Sequence, residues 1–155
     1  MFFLFLFLII TFAGNVYAVS SSLNKGFLDL TNINFSEDGV INIKGEWELY
    51  DHILLKPKDF DKDKKPQIDY YFKSPGIIND FRQKEGYYGN GNGYFTYRSK
   101  IKINKNQIGK DLALKFPRIS GTALKVWIND TLILQEGTPG KSKENMEPGW
   151  LPEIA

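Results

Sequence analysis

Apolar and polar residues alternate with a period of two along most of this chain, the signature of half-buried β-strands. Phe27-Leu28-Asp29-Leu30 and Val40-Ile41-Asn42-Ile43 read as short strands separated by a turn at Ser36-Glu37-Asp38-Gly39. In Glu46-Trp47-Glu48-Leu49-Tyr50 the alternation places Trp47 and Leu49 on one face. Ile68 to Phe72 is a further β-rich run, ended by Ser74-Pro75-Gly76. Tyr94 to Ile103 is the longest alternating stretch, with Phe95, Tyr97, Ser99, Ile101 and Ile103 on one side and Tyr94, Thr96, Arg98, Lys100 and Lys102 on the other. Leu112 to Phe116 alternates as well, which predicts Leu112, Leu114 and Phe116 inward. Val126-Trp127-Ile128 and Leu132-Ile133-Leu134 flank Asn129-Asp130, so a two-residue hairpin turn is expected there. Asn and Asp tolerate the positive φ that such turns demand. No segment carries an amphipathic helix of 12 or more residues. Short strands with turn signals roughly every 8–12 residues predict an all-β, antiparallel sandwich or barrel.

The N-terminus changes where such a fold would work. Phe2 to Ile10 is unbroken apolar sequence, and no charged side chain occurs before Lys25. Val16-Tyr17-Ala18 offers a cleavage point, so residues 1–18 read as a secretory signal peptide, although no Lys or Arg precedes the apolar run. The competing reading is an uncleaved N-terminal anchor, since the 18 uncharged residues from Phe2 to Val19 approach the ~20 that span a bilayer. Gly14 and Asn15 dilute the stretch and favour the signal peptide. Either way the rest of the chain is expected to be exported, at the periplasmic or extracellular face of the membrane.

Removing the leader leaves 155 − 18 = 137 residues, enough for one domain with its own core. A formal charge of +2 argues against a dedicated nucleic-acid surface. With no cysteine the chain lacks disulfides, a thiol nucleophile and thiolate metal sites, and its one histidine, His52, excludes multi-histidine centres. The run Asp59-Phe60-Asp61-Lys62-Asp63-Lys64 imitates the start of a calcium loop. Lys64 stands where the sharp turn needs Gly, and Tyr70 where the bidentate Glu should be, so no metal site is expected. Gly89-Asn90-Gly91-Asn92-Gly93 is followed by a strand pattern, whereas a phosphate cradle needs a helix N-terminus. The two charged connectors, Lys56 to Lys65 and Lys141 to Glu147, read as solvated loops. Aromatic and hydrogen-bonding side chains give the better lead. Tyr87, Tyr88, Tyr94 and Trp150, with Arg98 and Arg118, are candidate ligand contacts for sugar-ring stacking and hydroxyl binding, while Trp47, Tyr97 and Trp127 are expected to fill the core.

The order of these segments resembles a known family. Gly45 to Tyr50 (GEWELY), a loop with Pro57 and Phe60, the Ser74-Pro75-Gly76 turn, Gly93 to Ile103, Leu112 to Asp130 and the Gly137/Gly140 exit follow one another as they do there. The family is the extracellular sensor domain of bacterial seven-transmembrane receptors with diverse intracellular signalling modules, and the likeness runs from about Gly39 to Trp150. It implies a galactose-binding-like jelly-roll β-sandwich over residues 39–155, preceded by an N-terminal segment, 19–38, with a short strand. It further implies a non-catalytic module without a cofactor that binds a small extracellular ligand, carbohydrate among the candidates. That module would act on a membrane signalling bundle in cis or on a partner chain. The family usually has Asn-Gly where this chain has Asn129-Asp130, and its fold needs at least one strand beyond Ala155, so the resemblance also implies a truncated N-terminal fragment. Two other readings stand beside it: the non-catalytic sugar-binding domain of a secreted glycoside hydrolase, and a structural or adhesive surface protein.

Overall fold

A computed structural model of the chain describes residues 20–84, 93–115 and 123–149. The expected leader and the candidates Tyr87, Tyr88, Arg118 and Trp150 lie outside the described residues. Strands dominate. In chain order they are β1 (Ser20–Leu23), β2 (Phe27–Leu30), β3 (Asn42–Asp51), β4 (Tyr70–Ser74), β5 (Phe95–Arg98), β6 (Lys100–Ile103), β7 (Leu124–Ile128) and β8 (Thr131–Glu136). The two α-helical pieces are short: α1 (Phe35–Asp38) is one turn capped by the Asn34 side chain, and α2 (Ile78–Lys84) is two turns. The expected all-β character therefore holds, with the turn at Ser36–Gly39 tightened into α1. Among the described residues no helix is long and apolar enough to cross a membrane.

β3 is the central strand. β4 pairs with it antiparallel over Gly45 to Leu49 and β5 antiparallel over Glu48 to Asp51. Glu48 and Leu49 have partners in both β4 and β5, so these two strands occupy opposite edges of β3. β1 joins the same sheet over Asn42 to Gly45, but parallel. β2 and β6 form a separate parallel pair, and β7 with β8 an antiparallel hairpin. The sheets are thus mixed, where the sequence pattern predicted antiparallel ones.

Two chain corners explain the difference. Lys25 and Gly26 adopt positive φ (46° and 75°) between β1 and β2, so the chain leaves one sheet and enters the other within three residues. The second corner is Ser99, which splits the expected Tyr94–Ile103 strand. β5 stays beside β3, while β6 crosses to β2, led by a hydrogen bond from the Lys100 amide to the Gly26 carbonyl (2.7 Å). Local alternation is blind to such a switch, because each half keeps its own period of two.

The core forms where these sheets face each other. Leu23 of β1 meets Leu28 and Leu30 of β2, and all three are at most 5% exposed. Ile41, Ile43, Trp47, Ile103, Ile33 and Phe35 pack around them. At one end the Asn104 side chain donates to the Thr31 carbonyl (2.8 Å), and buried Gln107 reaches Asn34 (3.5 Å). Trp47 is half-buried against this cluster, with its indole Nε1 lacking a hydrogen-bond partner among the described residues.

Two core expectations are corrected. Tyr97 is 42% exposed and tilts against Phe72 and Phe95 on the sheet surface instead of entering the leucine cluster. Leu112 and Leu114 are about half exposed in a segment without strand pairing, and Phe116 lies outside the described residues. The chain up to Ser99 pairs with β3, and past Lys100 with β2, whereas residues 111–115 join neither sheet. Trp127 is half-buried within the β7–β8 hairpin, opposite Leu132. The hairpin closes through Ile128 and Thr131 around Asn129-Asp130, and only Asn129 of the two has positive φ (52°). A bulge between Val126 and Trp127 sets Ile133 outside the register.

Candidate ligand-binding groove

The two faces of β3 have different fates. Trp47 and Leu49 point to the apolar side, with Phe72 and Tyr70 of β4 and Tyr97 of β5 as cross-strand neighbours. The opposite side carries Glu48 and Tyr50, both buried, with Arg98 beside Glu48. A 3-10 turn at Pro57–Phe60 covers this second face. Its Phe60 ring stands edge-on to Tyr50 (5.4 Å between centroids), and the Arg98 guanidinium lies 4.2 Å from the Phe60 centroid. One oxygen of Glu48, Oε2, accepts both the Tyr50 hydroxyl (2.8 Å) and Arg98 Nη1 (3.3 Å).

Arg98, a candidate ligand contact from the sequence, is therefore engaged inside the protein. Its partner could not be read locally, since Glu48 lies fifty positions upstream. Tyr94 is half-buried at the head of β5, its ring edge-on to His52 (5.6 Å) and its carbonyl accepting the His52 amide (3.0 Å). The structure does not bring Tyr94 and Arg98 to one ligand: one braces the end of β3, the other its middle.

Burial, and then the hydrogen bond to Glu48, push the pKa of the Tyr50 hydroxyl up to about 12 from its ordinary value of 10.0. The fold thus favours the neutral phenol, so this group's contribution to stability is complete below about pH 10 and is lost as pH rises toward 12. Ultraviolet titration of the phenolates, compared with Tyr50→Phe, is expected to show one late-ionising tyrosine. In urea unfolding the stability of Tyr50→Phe should fall less between pH 10 and 12. A Tyr50 ionising with surface tyrosines near pH 10 would contradict this.

Next to this cluster the chain makes an open groove of about 470 Å³. Ile53, Leu54, Leu55 and Pro66 give its apolar lining; Lys62, Lys64 and Lys65 from one connector and Lys141 from the other give its cationic lining. The groove is anchored to the sheet by Thr96 of β5, whose hydroxyl accepts the Leu55 amide and donates to the Ile53 carbonyl, both at 2.9 Å. Lys141 reaches the groove from a closed loop. Thr138 and Glu147 exchange two backbone hydrogen bonds (2.8 and 3.0 Å), and the Thr138 hydroxyl donates to Glu147 Oε2 (3.0 Å).

Carboxylates near the groove are already committed. Asp59 accepts the Lys56 amide (2.9 Å) and the Lys62 ammonium (2.7 Å), and these, the backbone bond first, hold its carboxyl below the ordinary value. Asp61 and Asp63 are not among the lining residues. Among the described residues no cluster of carboxylate and histidine side chains fits a metal ion. Of the two connectors expected as solvated loops, the first lines the groove with Asp59, Lys62, Lys64 and Lys65, and the second adds Lys141. The signal available in sequence was charge balance: Lys56 to Lys65 holds five lysines against three aspartates. Their convergence with Lys141 is a long-range property.

No known family model, curated protein or solved structure matches this chain.

Proposed function

We propose that this chain is the extracytoplasmic ligand-binding sensor module of a membrane signalling receptor, non-catalytic, on a galactose-binding-like jelly-roll β-sandwich. The observation that carries the reading is the groove. Two loops, one preceding β4 and one following β8, meet over an apolar lining of a size suited to a small ligand. The resemblance of the segment order from GEWELY to the Gly137/Gly140 exit supports the same reading, as do the strand-rich framework and the uncharged leader.

A mechanism follows from the connectivity. A ligand bridging the 53–67 loop and Lys141 ties the chain after β8 to the β3 sheet. Such tying shifts an attached or adjacent membrane bundle only if the ligand binds its two states with different affinities. Alkaline phosphatase fused after residue 149 tests export, and a thermal-shift screen of neutral and acidic sugars tests binding. Phosphatase activity outside the cytoplasm, with a ligand that raises Tm by several degrees and is recovered unchanged, is expected. At a hundred times its Kd such a ligand stabilises by about 2.7 kcal/mol. A silent fusion, or turnover of the ligand, would overturn the reading.

A further inference from the structure

We propose that the groove takes an anionic ligand: one carboxylate or phosphate group on a compact body of one or two sugar rings' size. This deepens the ligand-binding reading and rests on it. Positive charge is left over in the groove. Of the four lysines lining the groove, only Lys62 has a carboxylate partner, Asp59. Lys64, Lys65 and Lys141 have none among the described residues. The acidic groups closest to them in sequence are turned elsewhere: Glu147 accepts from Thr138, Glu144 is held by Ser142, and Asp61 and Asp63 stay off the lining. Three like charges gathered from two loops repel one another, and an anion between them removes that repulsion. The apolar Ile53, Leu54 and Pro66 give the uncharged body of the ligand a surface to lie on. Lysine suits such a site, since its ammonium is a compact point charge on a long stem and asks for no planar geometry.

The test is calorimetry on the exported protein with three probes of nearly constant shape and rising charge: glucose, glucuronate and glucose 6-phosphate. Affinity is expected to rise at least tenfold from the first to the last, and to fall as salt is raised from about 50 to 300 mM. Inorganic phosphate alone should bind at least fivefold more weakly than glucose 6-phosphate. The combined variant Lys64→Gln, Lys65→Gln, Lys141→Gln should remove the preference for charge. A control with equal charge loss away from the groove, Lys44→Gln, Lys105→Gln, Lys110→Gln, should keep it. Equal affinity for glucose and glucose 6-phosphate, or equal loss in both variants, overturns the proposal. Lysine-independent glucose binding would overturn the anionic site and leave the ligand-binding module standing. Lysine-dependent binding by a protein whose phosphatase fusion is silent would keep the site and overturn the exported sensor.

Discussion

Gly45→Ala is expected to destabilise the protein by about 3–5 kcal/mol, a large share of the roughly 5–15 kcal/mol that holds an ordinary domain folded. Two costs combine. Gly45 has φ of 108°, a region closed to residues with a Cβ, and forcing one there costs about 1–3 kcal/mol. The added carbon would also meet backbone on β1: the Leu23 carbonyl oxygen, and the Leu23 nitrogen at 2.7 Å. Backbone cannot swing aside as a flexible side chain can. Relief therefore requires β1 to move off β3 at their Leu23–Gly45 pair, taking Leu23 out of the core. Gly109 supplies the control. It too has positive φ (82°), but a Cβ there would meet nothing within 4 Å, so Gly109→Ala is expected to cost about 1 kcal/mol. Urea unfolding of both variants separates the steric part from the backbone part, and equal losses would contradict the close approach of β1 to β3.

Arg98→Met is the second large effect, about 2–3 kcal/mol. It leaves the Glu48 carboxylate, whose side chain is 7% exposed, with the Tyr50 hydroxyl and without its cation. Removing one partner of a fully buried pair costs about 3–5 kcal/mol, and the 29% exposure of the Arg98 side chain reduces that figure. The methylene stem and the stacking on Phe60 contribute too. Arg98→Lys should recover part of the loss, because it restores charge without the planar face. In a double-mutant cycle with Glu48→Gln, a coupling of about 1–2 kcal/mol is expected. A loss below about 0.5 kcal/mol in Arg98→Met would mean a solvated guanidinium, free for the ligand role that the sequence assigned to it.

Glu48 and Arg98 also show where sequence reading stops. The alternation in Glu46 to Tyr50 gave each side chain its face, and Asn129-Asp130 gave the hairpin, because both are local properties of consecutive residues. Pairing is not local. Nothing in Tyr94 to Ile103 marks Ser99 as the corner where the strand changes sheets, so Tyr97 was expected in a core that it does not reach. The parallel placement of β1 and β2 depends on the left-handed pair Lys25 and Gly26, and only the glycine hints at it. The groove was hidden for the same reason. A charged run is a solvated surface until a second segment meets it, and Lys141 lies far along the chain from Lys65.

In the proposed function, the 53–67 loop and Lys141 form one ligand-binding surface. The sharpest test follows backbone amide shifts of the protein as glucose 6-phosphate is added. Shifts that saturate together in residues 53–67 and 138–147, with one Kd, and vanish in the Lys64→Gln, Lys65→Gln, Lys141→Gln variant, are the predicted result. Shifts centred on β7 and β8, or confined to one of the two loops, would contradict it.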